Sequence, residues 1–151
     1  MPKIILIFSF LLFHSTTLAD VKINVKVKRD SKVKDKMMYA YLVVMPPNKE
    51  LFSLQKKMND GFVKGSLPHY HDIGRAEDNM SKILKLQKGS YKAQVFLKSD
   101  GSDCNISKNG VPMGSCFPVQ SDILCSSVSF EVASKDQESE QNIQCEVGSE
   151  V

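Results

Sequence analysis

The residues best placed to do chemistry are His69-Tyr70-His71-Asp72. On an extended backbone, side chains two apart point the same way, so His69 and His71 present two imidazoles on one side. Paired neutral imidazoles suit copper or zinc, and thioethers such as Met58, Met80 or Met113 would favour Cu(I). The plainer alternative is two surface histidines in a polar loop. No other histidine follows the N-terminal leader described below, so any metal bound here would have few protein nitrogens to share.

The H-x-H pair followed by Asp72 and Gly74 resembles a passage of the copper–zinc superoxide dismutases. That enzyme needs several more histidines, and the ligand count therefore excludes a dismutase. Hydrolase chemistry would require Ser66 or Ser81 to pair with His69, without the G-x-S-x-G elbow that would expose a nucleophile. Glu77-Asp78 reads as a solvated pair of carboxylates. Asp100-Gly101-Ser102-Asp103-Cys104-Asn105 has oxygens at spacings calcium tolerates but lacks the terminal bidentate acid of an EF-hand loop, so it reads as a turn. No catalytic set emerges, and the expectation is a protein that is not an enzyme and has no resident cofactor, with copper or zinc at His69 and His71 as the alternative.

Four cysteines, Cys104, Cys116, Cys125 and Cys145, contain no C-x-x-C pair and so give no zinc-ribbon spacing. Their compartment is indicated by the N-terminus. Lys3 precedes the apolar run Ile4–Phe13, which has ten residues where a membrane-spanning helix needs about 20. Thr17-Leu18-Ala19 then offers small residues at a cleavage site. Residues 1–19 thus read as a secretory signal peptide, residues 20–151 as a single domain, and the destination as secreted or periplasmic with no membrane span after cleavage. In that oxidising space an even cysteine count implies two disulfides. Three pairings are open; Cys104–Cys116 with Cys125–Cys145 is preferred, each closing a short loop or clipping a hairpin. Asn79-Met80-Ser81 and Asn105-Ile106-Ser107 are glycosylation sequons, relevant to a eukaryotic source.

Charge is segregated along the chain. Residues 20–98 hold 17 Lys and Arg against 8 Asp and Glu, and residues 99–151 hold 2 against 9. A basic half could attract anionic partners, although lysines also solvate the outer faces of strands. With 18 Lys and only Arg29 and Arg75, bidentate phosphate reading is disfavoured, and no specific nucleic-acid partner is expected.

The elements that must position these groups follow a period of two. Val21, Ile23, Val25 and Val27 alternate with Lys22, Asn24, Lys26 and Lys28, which predicts a strand with one buried face and a lysine row guarding an edge. Met37–Met45 is apolar on both faces, hence a central strand, stopped by Pro46-Pro47. Leu51–Leu54 and Phe62–Gly65 are short strand candidates about a turn at 56–61. Ser66–Met80 lacks periodicity and reads as a long loop, where function tends to concentrate. Ser81–Leu86 and Tyr91–Lys98 are strands, the second with Tyr91, Ala93, Val95 and Leu97 on one face. Asp100-Gly101 closes a hairpin-type turn, and residues 104–125 are loop-rich. Val128, Phe130 and Val132, then Ile143, Cys145 and Val147, pattern the last two strands.

Seven to eight short strands without an amphipathic helix predict an all-β, antiparallel, disulfide-stabilised β-sandwich, immunoglobulin-like or transthyretin-like. The passage Leu86-Gln87-Lys88-Gly89-Ser90-Tyr91 continuing to Val95 resembles the L-x-x-G-x-Y-x-x-x-V segment of transthyretin-like and carboxypeptidase-regulatory sandwich domains, which implies a seven-stranded Greek key. The functional expectation is an exported, non-enzymatic module that binds a protein or glycan through its loops or a basic sheet face.

Overall fold

A computed structural model describes residues 18–51, 68–99, 104–106, 112–114, 118–119, 121–133 and 138–148. The strands are β1 (Ala19–Arg29), β2 (Tyr39–Met45), β3 (His69–Arg75), β4 (Asn79–Leu86), β5 (Gly89–Lys98), β6 (Cys104–Ile106), β7 (Pro112–Gly114), β8 (Ile123–Val132) and β9 (Ser139–Val147). They form a three-stranded sheet in the order β4-β1-β9, a four-stranded sheet in the order β3-β2-β5-β8, and a small β6-β7 ribbon. The chain is nearly all β, as its alternation requires. Every pairing is antiparallel except β1 with β9.

The odd-numbered apolar residues of β1 face the other sheet with Leu84 and Leu86 of β4 and Ile143 and Val147 of β9. Against them pack Ala40, Leu42 and Val44 of β2, Ala93, Val95 and Leu97 of β5, and Phe130 and Val132 of β8. Each fully buried aliphatic side chain contributes about 1.5–3 kcal/mol, which explains why the β1 pattern was so readable. Its position differs from expectation. The lysine row does not guard an edge, because β1 is the middle strand of its sheet.

β2 is central as its two apolar faces imply. Its second face joins Tyr41, Val43 and Met45 to Leu51, Tyr70 and Phe96 in a separate buried cluster. Tyr41 stacks on Phe96 with ring centroids 5.4 Å apart. Burial raises the phenols of Tyr41 and Tyr70 to about 12, with the nearby Asp72 carboxylate adding to the effect at Tyr41. Lys92 and Lys98 of β5, on this same face, are buried rather than solvated. Each has a carboxylate partner: Glu50 at 2.9 Å from Lys92 Nζ, and Asp122 at 2.6 Å from Lys98 Nζ.

The Ser66–Met80 loop expectation is overturned. His69–Arg75 pairs with β2 in an antiparallel ladder, and β4 begins at Asn79. Polar composition hid β3 because it is an edge strand with only Tyr70 fully buried. A bulge interrupts the ladder between Ala40 and Tyr41. There Gly74 takes φ +98 and its amide donates to Asp72 Oδ1 at 2.7 Å, so a residue without Cβ is needed.

Of the remaining expectations, the strand at 51–54 beyond its buried first residue Leu51, the strand at 62–65, the turns at 56–61 and 100–101, and most of the leader fall outside the described residues. Leu18 and Ala19 are described, and Ala19 is buried opposite Leu86. Among the described residues no helix is long and apolar enough to cross a membrane.

Candidate functional site

The two long sides of the sandwich are built differently. On one side β8 and β9 are bound together by the Cys125–Cys145 disulfide, Cα atoms 4.3 Å apart, and by the Gln144 amide donating to Ser126 Oγ at 2.9 Å. The preferred pairing is therefore present, but it does not clip a hairpin: Cys125 and Cys145 lie in different sheets. Cys116 and the side chain of Cys104 fall outside the described residues, and with them the other pairing.

On the opposite side β3 and β4 face one another across an unpaired seam. Directly opposed residues of an antiparallel pair share a face. His71 opposes Leu42 and His69 opposes Val44, so both imidazoles turn toward the main core, as the i, i+2 spacing predicts. From β4, Met80, Lys82 and Leu84 oppose Val25, Ile23 and Val21 and point inward too. Lys82 is the one charged residue in that inward row. Burial, then the Lys82 ammonium and His69, holds the His71 imidazole down at about 4. His69 Nε2 is buried and has no hydrogen-bond partner among the described residues.

A resident copper or zinc ion would meet a mixed set of groups here. Two imidazoles share a face and His71 is neutral at physiological pH, as a ligand must be. The Lys82 cation, however, faces the same spot, and no cluster of three or more His, Cys, Asp or Glu suited to a metal exists among the described residues. Met80, two residues before Lys82 on the same inner row, packs against the main core, while Met58 and the side chain of Met113 are outside the described residues. The local charge opposes a cation.

The pairing of Ser81 with His69 is not formed. Ser81 opposes Asn24 on the outer face of β4, whereas His69 faces inward; Ser66 is outside the described residues. Glu77 and Asp78 are exposed in the β3–β4 turn. Asn79 of the first sequon is exposed on the outer face of β4 beside Lys26, and the side chain of Asn105 is outside the described residues.

The lysine row forms a mixed-sign surface rather than a basic one. β9 brings the acidic half of the chain beside basic β1, register placing Glu140 next to Lys22, Asn142 next to Asn24, Gln144 next to Lys26, and Glu146 next to Lys28. Asn24 Nδ2 donates to Asn142 Oδ1 at 3.3 Å, Lys22 pairs with Glu140 at 3.7 Å, and Lys85 pairs with Asp20 at 3.0 Å. Exposed pairs such as these contribute little stability. Ile83, 61% exposed, sits on this surface opposite Lys22. Two adjoining depressions open at its end: one of about 440 Å³ beside Lys28, Arg29, Asp30 and Glu146, the other of about 240 Å³ beside Lys26, Gln144 and Glu146.

No family model matches the chain, and no curated protein does. Among solved structures it is similar to a pilus-presented adhesin, Spy0125 (Cpa), at 11% identity and a TM-score of 0.24, over 87% of this chain and 28% of that one. The chain thus spans little more than a quarter of the adhesin structure, a superposition too loose to transfer a role.

Proposed function

We propose that the chain is an exported, non-enzymatic interaction module that engages a glycan or protein partner through the outer face of the β4-β1-β9 sheet. One observation supports this surface above others. The facing inner sides of both sheets form the core, and the outside of β2 and β5 is buried in the second cluster, which leaves the outside of β4-β1-β9 as the broad sheet face open to solvent. The loops named from sequence lose their main candidate, since most of Ser66–Met80 is strand.

The chemistry of the face favours a glycan. Asn24, Asn142, Gln144, Lys22, Lys26, Glu140 and Glu146 alternate donors and acceptors at strand spacing, matching the hydroxyls of a saccharide. Ile83 offers an apolar spot for the C–H side of a sugar ring. The intersheet disulfide suits an oxidising compartment, in keeping with the signal peptide read at residues 1–19.

Glycan arrays and pull-downs with the leaderless protein test the reading. Binding should be lost in Asn24→Ala and in Ile83→Asp, one half-buried and one exposed, both on the outer face away from the core. A protein captured in the same Asn24-dependent way would identify the second partner class. Wild-type protein that binds nothing at low or high salt, or binding indifferent to both variants, would overturn the proposal.

A further inference from the structure

We propose that the open β3–β4 seam is an oxyanion site, in which Lys82, His69 and His71 together hold a phosphate, sulfate or carboxylate group. This goes beyond the partner-binding reading and uses a different part of the molecule.

Three nitrogen-bearing side chains converge on one side of the sandwich from two sheets: His69 and His71 from the inner face of β3, and Lys82 from the inner face of β4. All three residues are half-buried, with the His69 Nε2 atom itself buried. No ion pair or hydrogen bond engages the Lys82 ammonium among the described residues, and His69 Nε2 is buried without a partner. The acidic side chain nearest in sequence, Asp72, opposes Tyr41, points to the other face of the sheet, and accepts from the Gly74 amide. The neighbours that β2 contributes on the inner face, Leu42 and Val44, carry no charge. An imidazole offers at least one N–H donor and an ammonium three, so donors outnumber acceptors in the seam. An oxyanion would accept from His69 with the proton on Nε2 and would neutralise Lys82, with bonds strengthened by a half-buried setting.

The rival explanation is that Lys82 is an inward-pointing charge that protects an edge strand from aggregation. Under that explanation the histidines need not respond to anions.

The experiment titrates leaderless protein with inorganic phosphate, sulfate, acetate and chloride at matched ionic strength, following the His69 and His71 imidazole signals by NMR. The expected result is saturable shifts at both histidines with one or more oxyanions and none with chloride, weakened about tenfold in Lys82→Gln. Which oxyanion binds most tightly identifies the headgroup chemistry. Equal responses to chloride and oxyanions, or oxyanion responses unchanged in Lys82→Gln, would overturn the proposal. So would zinc or copper(II) saturating both imidazoles while phosphate leaves them unmoved, the outcome that restores a metal site. If Lys82→Gln does not fold, the wild-type comparison of oxyanions with chloride decides the matter alone.

Discussion

Lys98 Nζ lies 2.6 Å from Asp122 Oδ2, and the two side chains are only 7% and 8% exposed. The pair ties the end of β5 to the entry of β8. Asp122 Oδ2 also accepts from the Val119 amide at 2.8 Å, and the ammonium sits 5.8 Å from the Phe96 ring centroid. Removing one partner leaves the other charge buried and uncompensated. Lys98→Met or Asp122→Leu alone should therefore cost about 3–5 kcal/mol in urea denaturation. The double variant should recover most of that loss, falling short by about 1 kcal/mol for the Val119 hydrogen bond. Additive losses would show that the pair is not coupled.

Acid should destabilise the protein through His71. Its imidazole is held at about 4 in the fold against 6.5 when free, so the unfolded chain binds the proton more readily. The contribution to stability is complete above pH 6.5, declines as pH falls from there to about 4, and then levels off. After allowance for partial solvent access it amounts to about 2 kcal/mol. Among the described residues the charged or titratable groups that act on His71 are Lys82 and His69, with uncharged Leu42 and Val44 opposite on β2. In His71→Leu the decline between pH 6.5 and 4 should shrink; an unaltered acid profile would refute the assignment.

Gly74 should resist substitution for a purely backbone reason. A Cβ there would meet nothing within 4 Å, yet φ is +98. Gly74→Ala should cost about 1–2 kcal/mol and displace the His71 NMR signals by disturbing the bulge. Wild-type stability in Gly74→Ala would show that the bulge relaxes without strain.

What the sequence made legible depended on how much apolar surface each strand buries. Val21–Val27 and Ile143–Val147 each bury one face, and their alternation located both strands and the cysteine on the second. β3 escaped detection because an edge strand needs only one good pairing partner, so His69–Arg75 carries no hydrophobic rhythm beyond Tyr70. The spacing of His69 and His71 did give their common direction; the arrival of Lys82 from the other sheet is a tertiary fact without a local signal. Nothing local marks Lys92 and Lys98 as buried, because their partners, Glu50 and Asp122, stand 42 and 24 residues away. The charge segregation was visible, but its cancellation across β1 and β9 required knowing that the first and last strands pair in parallel.

Peptide mapping of unreduced protein, recovered from outside the cytoplasm of its own cells, tests the central claim that export lets oxidation lock the two sheets together. The account predicts an N-terminus at Asp20 and one cross-linked species joining the peptides that contain Cys125 and Cys145. Protein that keeps residues 1–19 and carries free thiols at Cys125 and Cys145 would contradict it.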